Sequence, residues 1–161
     1  MTADAALAAT LKAARSQLGY TGTGTEDAPL SKYGAWYGIN PGQWCAMYVS
    51  WVLATAGLPQ HIETAKGFAY CPSGVNFFTA RGAYTAKAWD HTPAPGDLAF
   101  YDFGLGRASH VGLVEAYTGG GIQTLEGNTT DASIGRTGNC CRRKWHPGDA
   151  GYILGYARPD Y

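Results

Sequence analysis

The amino-acid sequence predicts an α+β fold, with helices in its first half and an antiparallel sheet of about five to six strands in its second. Three observations carry this. Apolar residues recur at helical spacing ahead of residue 60. From Pro95 onward the texture turns to short runs of β-branched and aromatic residues. Gly pairs and Asn or Asp turns separate those runs at short intervals, as consecutive antiparallel strands require.

The first helix is read over residues 4 to 18, inside an N-terminal segment 1–20. Asp4 can cap it, Leu7, Leu11, Ala14 and Leu18 share a face, and Gly19 ends it. Residues 20 to 43 read as loop, including the aromatic stretch Lys32-Tyr33-Gly34-Ala35-Trp36-Tyr37-Gly38. A second helix runs over 45–56 and stops at Gly57-Leu58-Pro59. A short third helix follows Pro72-Ser73 and covers Val75 to Arg81. Strands are read within 96–158: Gly96 to Phe103, His110 to Tyr117, Ile122 to Glu126, Cys141 to Trp145 and Tyr152 to Ala157. Thr118-Gly119-Gly120-Gly121 reads as a hairpin turn. No repeat or linker interrupts the chain, so 1–161 is expected to be a single domain.

A domain of 161 residues buries roughly 68–70% of its unfolded surface and needs no disulfides. Lys and Arg number 12, as do Asp and Glu, so the net charge is zero. That argues against nucleic acid or an anionic membrane as partner. Arg136, Arg142, Arg143 and Lys144 form one basic cluster, either a solvated strand and turn or a contact for an acidic polymer. No apolar run approaches the 18 residues of a membrane helix, so no membrane insertion is expected. The N-terminus lacks a positive region followed by an apolar core, so no signal peptide is expected. Cys45, Cys71, Cys140 and Cys141 are then thiols of a reducing cytosol. A zinc site from Cys71, Cys140, Cys141 and His146 is the alternative. Adjacent Cys140 and Cys141 suit no common zinc spacing and fall on opposite strand faces instead.

The chemistry centres on Cys45. It lies in Pro41-Gly42-Gln43-Trp44-Cys45-Ala46-Met47, where a Pro/Gly loop gives way to an apolar helix. Free N–H groups and the dipole at a helix N-terminus favour thiolate, lowering a pKa that is otherwise roughly 8.5. A lone cysteine there is also commonly a small core residue. A nucleophilic thiolate needs a base, and four histidines are available. His61 and His91 lie in polar or Pro-flanked segments, and His146 precedes Pro147-Gly148 in a turn. His110 opens the run Ser109-His110-Val111-Gly112-Leu113-Val114, where a side chain at a strand start can face a cleft. Gly112, on the same face, leaves room for a substrate or a helix to approach. The next strand supplies Glu126 and Asn128, which share a face if the strand continues through Gly127. One or both can then orient the imidazole, or else simply form the strand's terminal turn.

Gln43-Trp44-Cys45-Ala46, Pro95-Gly96-Asp97-Leu98, Ser109-His110-Val111-Gly112 and Glu126-Gly127-Asn128 occur in this order. Cys45 and His110 are 65 residues apart, and His110 and Glu126 are 16 apart. Together these motifs resemble a CHAP domain, a cysteine, histidine-dependent amidohydrolase/peptidase of the papain-like superfamily, over nearly the whole chain. The segment 32–38 is similar to CHAP modules of phage endolysins that act on Gram-positive cell walls. The resemblance implies a papain-like fold. It makes Cys45 the nucleophile, His110 the base, Glu126 its orienting group and Asn128 a further active-site position. It also implies hydrolysis of an amide in bacterial peptidoglycan, by an N-acetylmuramoyl-L-alanine amidase or a stem or cross-bridge endopeptidase.

The Cys45 backbone N–H is one candidate donor to the oxyanion of thiolate attack. Gln43 either supplies a second or shapes the loop, since Trp44 separates it from the cysteine. Trp36, Tyr37 and Trp44 are expected to line the approach to Cys45. Glu26 and Asp27 are the only carboxylates between residue 20 and Cys45, too few for the clustered oxygens of a calcium loop, so no metal or other cofactor is expected. Two readings compete: an NlpC-type cell-wall peptidase, which would show an Asp-Cys pair and a second catalytic His, and a wall-binding module without catalysis. A chain lacking an export signal suggests a monomeric phage lysin that waits in the host cytoplasm and acts at the wall once released, causing cell lysis.

Overall fold

A computed structural model describes the chain except for Trp89 and residues 132–135, with Arg136 and Thr137 described by their backbone alone. Four helices precede most of the strands: α1 (Ala3–Arg15), α2 (Lys32–Tyr37), α3 (Cys45–Thr55) and α4 (Cys71–Ala80). Two-residue strands β1 (Thr23–Gly24) and β2 (Pro29–Leu30) pair with each other. The main sheet comprises β3 (Tyr84–Ala86), β4 (Leu98–Tyr101), β5 (His110–Thr118), β6 (Gly121–Asp131), β7 (Arg136–Pro147) and β8 (Ile153–Ala157). Its six strands are antiparallel in the order β3-β8-β4-β5-β6-β7.

Local chemistry accounts for the boundaries. The Thr2 side chain, rather than Asp4, caps α1 by accepting from the Ala5 N–H, and the helix stops three residues short of Leu18. Helix α2 lies in a stretch read as loop. Ser31 caps it at the Gly34 N–H, and left-handed Gly38 closes it. Helix α3 is nearly uniformly apolar and buries eight of its eleven residues, so it runs through the interior rather than along the surface. Helix α4 starts at Cys71, earlier than expected, because Pro72 occupies its first turn. The β5–β6 hairpin turns at Gly119 and Gly120, both at positive φ as such a turn demands.

Alternation along the strands divides the sheet into two faces. Leu98, Phe100, Val111, Leu113, Leu125 and Cys141 belong to the large core shared with α1, α2, α3 and α4. Ala99, Tyr101, Val114, Ile122, Ile153 and Tyr156 form a smaller cluster on the other face. Helix α3 lies against β5 and β6. Gly127 permits this, since a Cβ there would stand 2.6 Å from Tyr48 and 2.8 Å from Trp44. The N-terminus of α3 is thereby brought to the strand segment that carries Glu126 and Asn128. Among the described residues no helix is long and apolar enough to cross a membrane.

Candidate active site

Cys45 is the first residue of α3 and His110 the first of β5. Both are nearly buried and line the same hollow. His110 Nε2 lies 2.9 Å from Glu126 Oε2, which leaves Nδ1 for the thiol. Register explains the second contact. Leu113 pairs with Leu125, so Gly112 stands opposite Glu126. A Cβ on Gly112 would sit 2.8 Å from Glu126 Cγ and 3.1 Å from Oε1. The space expected there for a substrate or a helix is filled by the Glu126 side chain itself.

Glu126 is 1% exposed and accepts from four side chains. Oε2 takes His110 alone. Oε1 takes Thr124 Oγ1 at 2.7 Å, His146 Nε2 at 2.7 Å and the Tyr101 hydroxyl at 3.3 Å. Thr124 shares its strand face by the two-residue period. Tyr101 is the β4 residue paired directly with His110, and its ring underlies both imidazoles, 5.7 Å from His110 and 4.8 Å from His146.

The charges interlock. Burial opposes ionisation of Glu126, but the His110 charge and the hydrogen bonds from His110 and His146 hold the carboxyl well below the usual range. Burial likewise disfavours the imidazolium of His110, yet Glu126, then Cys45, push its pKa up to about 10. The Cys45 thiol is held well below its usual value. The Cys71 thiol contributes most, against the cost of burial, followed by His110 and the Ala46 N–H. The result at neutral pH is a thiolate–imidazolium pair with a fixed counter-carboxylate.

Cys71 adjoins Cys45. It opens α4 as Cys45 opens α3, and the two sulfurs are 3.9 Å apart. Cys140 lies 3.8 Å from the Thr21 hydroxyl and Cys141 3.4 Å from the Tyr33 hydroxyl, so Cys71, Cys140, Cys141 and His146 do not converge on a metal. Of the basic cluster, Arg142 pairs with Asp131, Arg143 with Glu115, and Lys144 with Thr130; the Arg136 side chain lies outside the described residues.

Asn128 lines the same hollow as Glu126 but sits at a break in the strand pairing. The β6–β7 register shifts between Glu126 and Thr129, and Asn128 takes φ +53° in that bulge. Its side chain turns to Gln43, with Nδ2 2.5 Å from Oε1, while its own Oδ1 accepts from the Asn139 N–H. Gln43 lines the same hollow as Cys45 and His110. Its amide nitrogen donates to the Glu26 carbonyl at 3.1 Å, and one N–H remains. Trp44 offers α3 no side-chain cap, so the first-turn N–H groups beside the sulfur stay aimed at the site.

The aromatic expectation needs correction. Trp44 is fully buried, stacks on Tyr33 and donates to Asn139 Oδ1. It packs in the core and lines neither hollow that contains His110. Tyr37 is buried and donates to Glu63, and half-buried Trp36 accepts from Lys66 through its carbonyl. The exposed aromatic beside the site is Phe103, stacked on Tyr101. Two adjoining hollows of about 500 and 460 Å³ share Gln43, Phe103, His110 and Asn128, and Cys45 opens into the second.

A helix-borne thiolate against a strand-borne imidazolium and carboxylate defines a cysteine hydrolase of papain-like architecture. The CHAP domain family matches residues 32–128, and the chain belongs to that family of cysteine, histidine-dependent amidohydrolases/peptidases. No curated protein matches the chain. Among solved structures, Ly7917 is similar at 16% identity and TM-score 0.50, and its complex with "the hydrolyzing product of MDP" at 16% and 0.54. Each match covers 95% of this chain and 62% of the other. A lipoprotein-like NLP/P60-family protein from Staphylococcus aureus is similar at 14% identity, 100% and 43% coverage and TM-score 0.48.

Proposed function

We propose that the chain is a peptidoglycan hydrolase that cleaves an amide through an acyl-thioester on Cys45. The observation that carries this is that Cys45 and His110 line one hollow, with Glu126 Oε2 2.9 Å from the His110 ring. The Cys45 thiolate attacks the carbonyl carbon, and the first-turn N–H groups of α3 receive the oxyanion. Gln43, held by Asn128, adds its remaining amide N–H. The His110 imidazolium gives its proton to the departing amine, leaving the acyl group on sulfur. The same imidazole then takes a proton from water, whose oxygen attacks the thioester. Carboxylate leaves and the thiolate–imidazolium pair is restored.

Family membership supports peptidoglycan as the substrate, and the fold shared with Ly7917, whose structure holds the hydrolysis product of MDP, agrees with it. The likeness of segment 32–38 to endolysin modules favours a phage lysin causing host cell lysis. Cys45→Ala and His110→Ala should each abolish lysis of purified walls while keeping the thermal midpoint near that of the parent. Normal lysis by either variant would reject the mechanism. Mass spectrometry of the digest then assigns the bond: a new amine on alanine marks the amidase, a new terminus inside the stem or bridge the endopeptidase.

A further inference from the structure

His146 resembles a turn residue in the sequence, yet it is buried beside the reacting groups with both ring nitrogens engaged. Nε2 lies 2.7 Å from Glu126 Oε1 and Nδ1 lies 3.0 Å from the Tyr152 hydroxyl. A carboxylate only accepts, so Nε2 carries the proton. Nδ1 meets the Tyr152 hydroxyl, so the ring is held at both nitrogens. The same carboxylate faces His110 through its other oxygen. One buried acid is thus held between two imidazoles that rest on the single ring of Tyr101.

We propose that His146 is a positioning residue for the reaction, acting through Glu126 on the His110–Cys45 pair. This rests on the amide-hydrolase reading above. Saturation of Oε1 by His146, Thr124 and Tyr101 stops the carboxylate from rotating and leaves Oε2 to His110 alone. Removing His146 strips a short bond from an oxygen that is shielded from water, so the carboxylate must re-aim or remain under-satisfied. The ionisable groups facing the ring are Glu126 from β6, Tyr101 from β4 and Tyr152 ahead of β8. Lys144, two residues earlier on β7, bonds Thr130 instead.

The test uses the whole chain and two readouts. One is kcat on purified peptidoglycan. The other is the rate of Cys45 alkylation by iodoacetamide from about pH 5 to 9, followed by peptide mass and independent of any substrate. His146→Leu should lower kcat by about tenfold to a hundredfold, the scale on which outer hydrogen-bond partners tune a site, with KM little changed. Its alkylation rate should begin to fall at higher pH than in the parent. His146→Gln, which keeps an N–H donor, should recover much of both. Combined with Glu126→Gln, His146→Leu should cost less than about twofold more, because the two act as one unit. If His146→Leu fails to fold, His146→Gln and Tyr152→Phe carry the same comparison. Parental kcat and alkylation profiles in His146→Leu, or in Tyr152→Phe where His146→Leu does not fold, or losses that multiply with Glu126→Gln, overturn the proposal. Absence of wall lysis by the parent would defeat the substrate reading while leaving the alkylation result to judge His146.

Discussion

Glu115 and Glu126 are buried carboxylates on neighbouring strands, and each answers the cost of burial differently. Glu115 sits at a register shift in β5, on the helix side of the sheet. Arg15 of α1 reaches it at 2.6 Å, Arg143 of β7 at 2.6 and 2.9 Å, and Gln123 at 2.8 Å. Hydrogen bonding from Arg143 contributes most, against burial, and lowers its pKa to about 2. Arginine stays charged throughout the accessible range, so this is a permanent clamp between α1 and the sheet. Glu126 meets histidines instead, whose charge can change. The first arrangement ties elements together; the second holds a charge that can change, in the hollow that Cys45 lines.

Neutralising each acid separates the two roles. Glu126→Gln keeps an acceptor for His110 but removes its counter-charge. Activity should fall roughly a hundredfold or more, though less than for His110→Ala, with a small change in urea midpoint. Glu115→Gln should do the reverse: activity within about twofold, and stability lower by about 2 kcal/mol, since the half-exposed arginines screen part of the interaction. Equal activity losses would erase the distinction.

The two sites should also part along the pH axis. Glu115 has a depressed folded pKa, so its stabilisation is present above the unfolded value of about 4.3 and is lost as pH falls towards about 2. His110 has a raised one. Its stabilisation is full below about 6.5 and disappears as pH rises through about 10. The proton for the leaving amine is lost over that same interval. Activity should therefore show an alkaline limb near 10 that Glu115→Gln leaves in place. The acid-side loss of stability should shrink in that variant. An alkaline limb near neutrality would contradict the ion pair.

Gly112→Ala probes the catalytic side alone. The new Cβ would crowd Glu126 Cγ at 2.8 Å, and four hydrogen bonds leave that side chain little freedom to yield. Crowding of this kind costs about 1–3 kcal/mol when a core must shift. We expect kcat to drop by about tenfold, with the Glu115 clamp unaffected by the criterion of acid stability. Parental kcat would mean that Glu126 relocates without consequence.

These contrasts were legible in the sequence to different degrees. Cys45 and His110 stand at the first positions of a helix and a strand, where local pattern reveals direction, and Glu126 follows from counting along a hairpin. His146 escaped because its partner lies across the β6–β7 pairing, and His-Pro-Gly reads locally as a turn. Tyr101 looked like an ordinary strand aromatic; only the β4–β5 register places it opposite His110. Trp44 was misjudged because proximity in sequence to a nucleophile does not say which side of a helix end an indole takes. Its N–H found Asn139, 95 residues away. The bulge at Asn128 likewise depends on β7, beyond the reach of alternation within β6.

Cys71 provides the finest comparison, between two touching thiols whose pKa values are driven in opposite directions. Both sulfurs are buried at helix starts, 3.9 Å apart. The His110 charge and the Ala46 N–H further lower the Cys45 pKa, so the negative charge favours Cys45. Contact with Cys45 and burial drive the Cys71 pKa well above the usual value, so Cys71 keeps its proton and donates. Cys71→Ala removes that donor and leaves His110, Glu126 and the Ala46 N–H in place. Alkylation of Cys45 should then decline at a higher pH than in the parent, by a few-fold in rate at about pH 6, with rates converging at about pH 9 where both are thiolates. Cys71→Ser, which restores a hydroxyl donor, should lie between them. Superimposable profiles would assign the thiolate stabilisation to His110 and the Ala46 N–H, with no part left to Cys71.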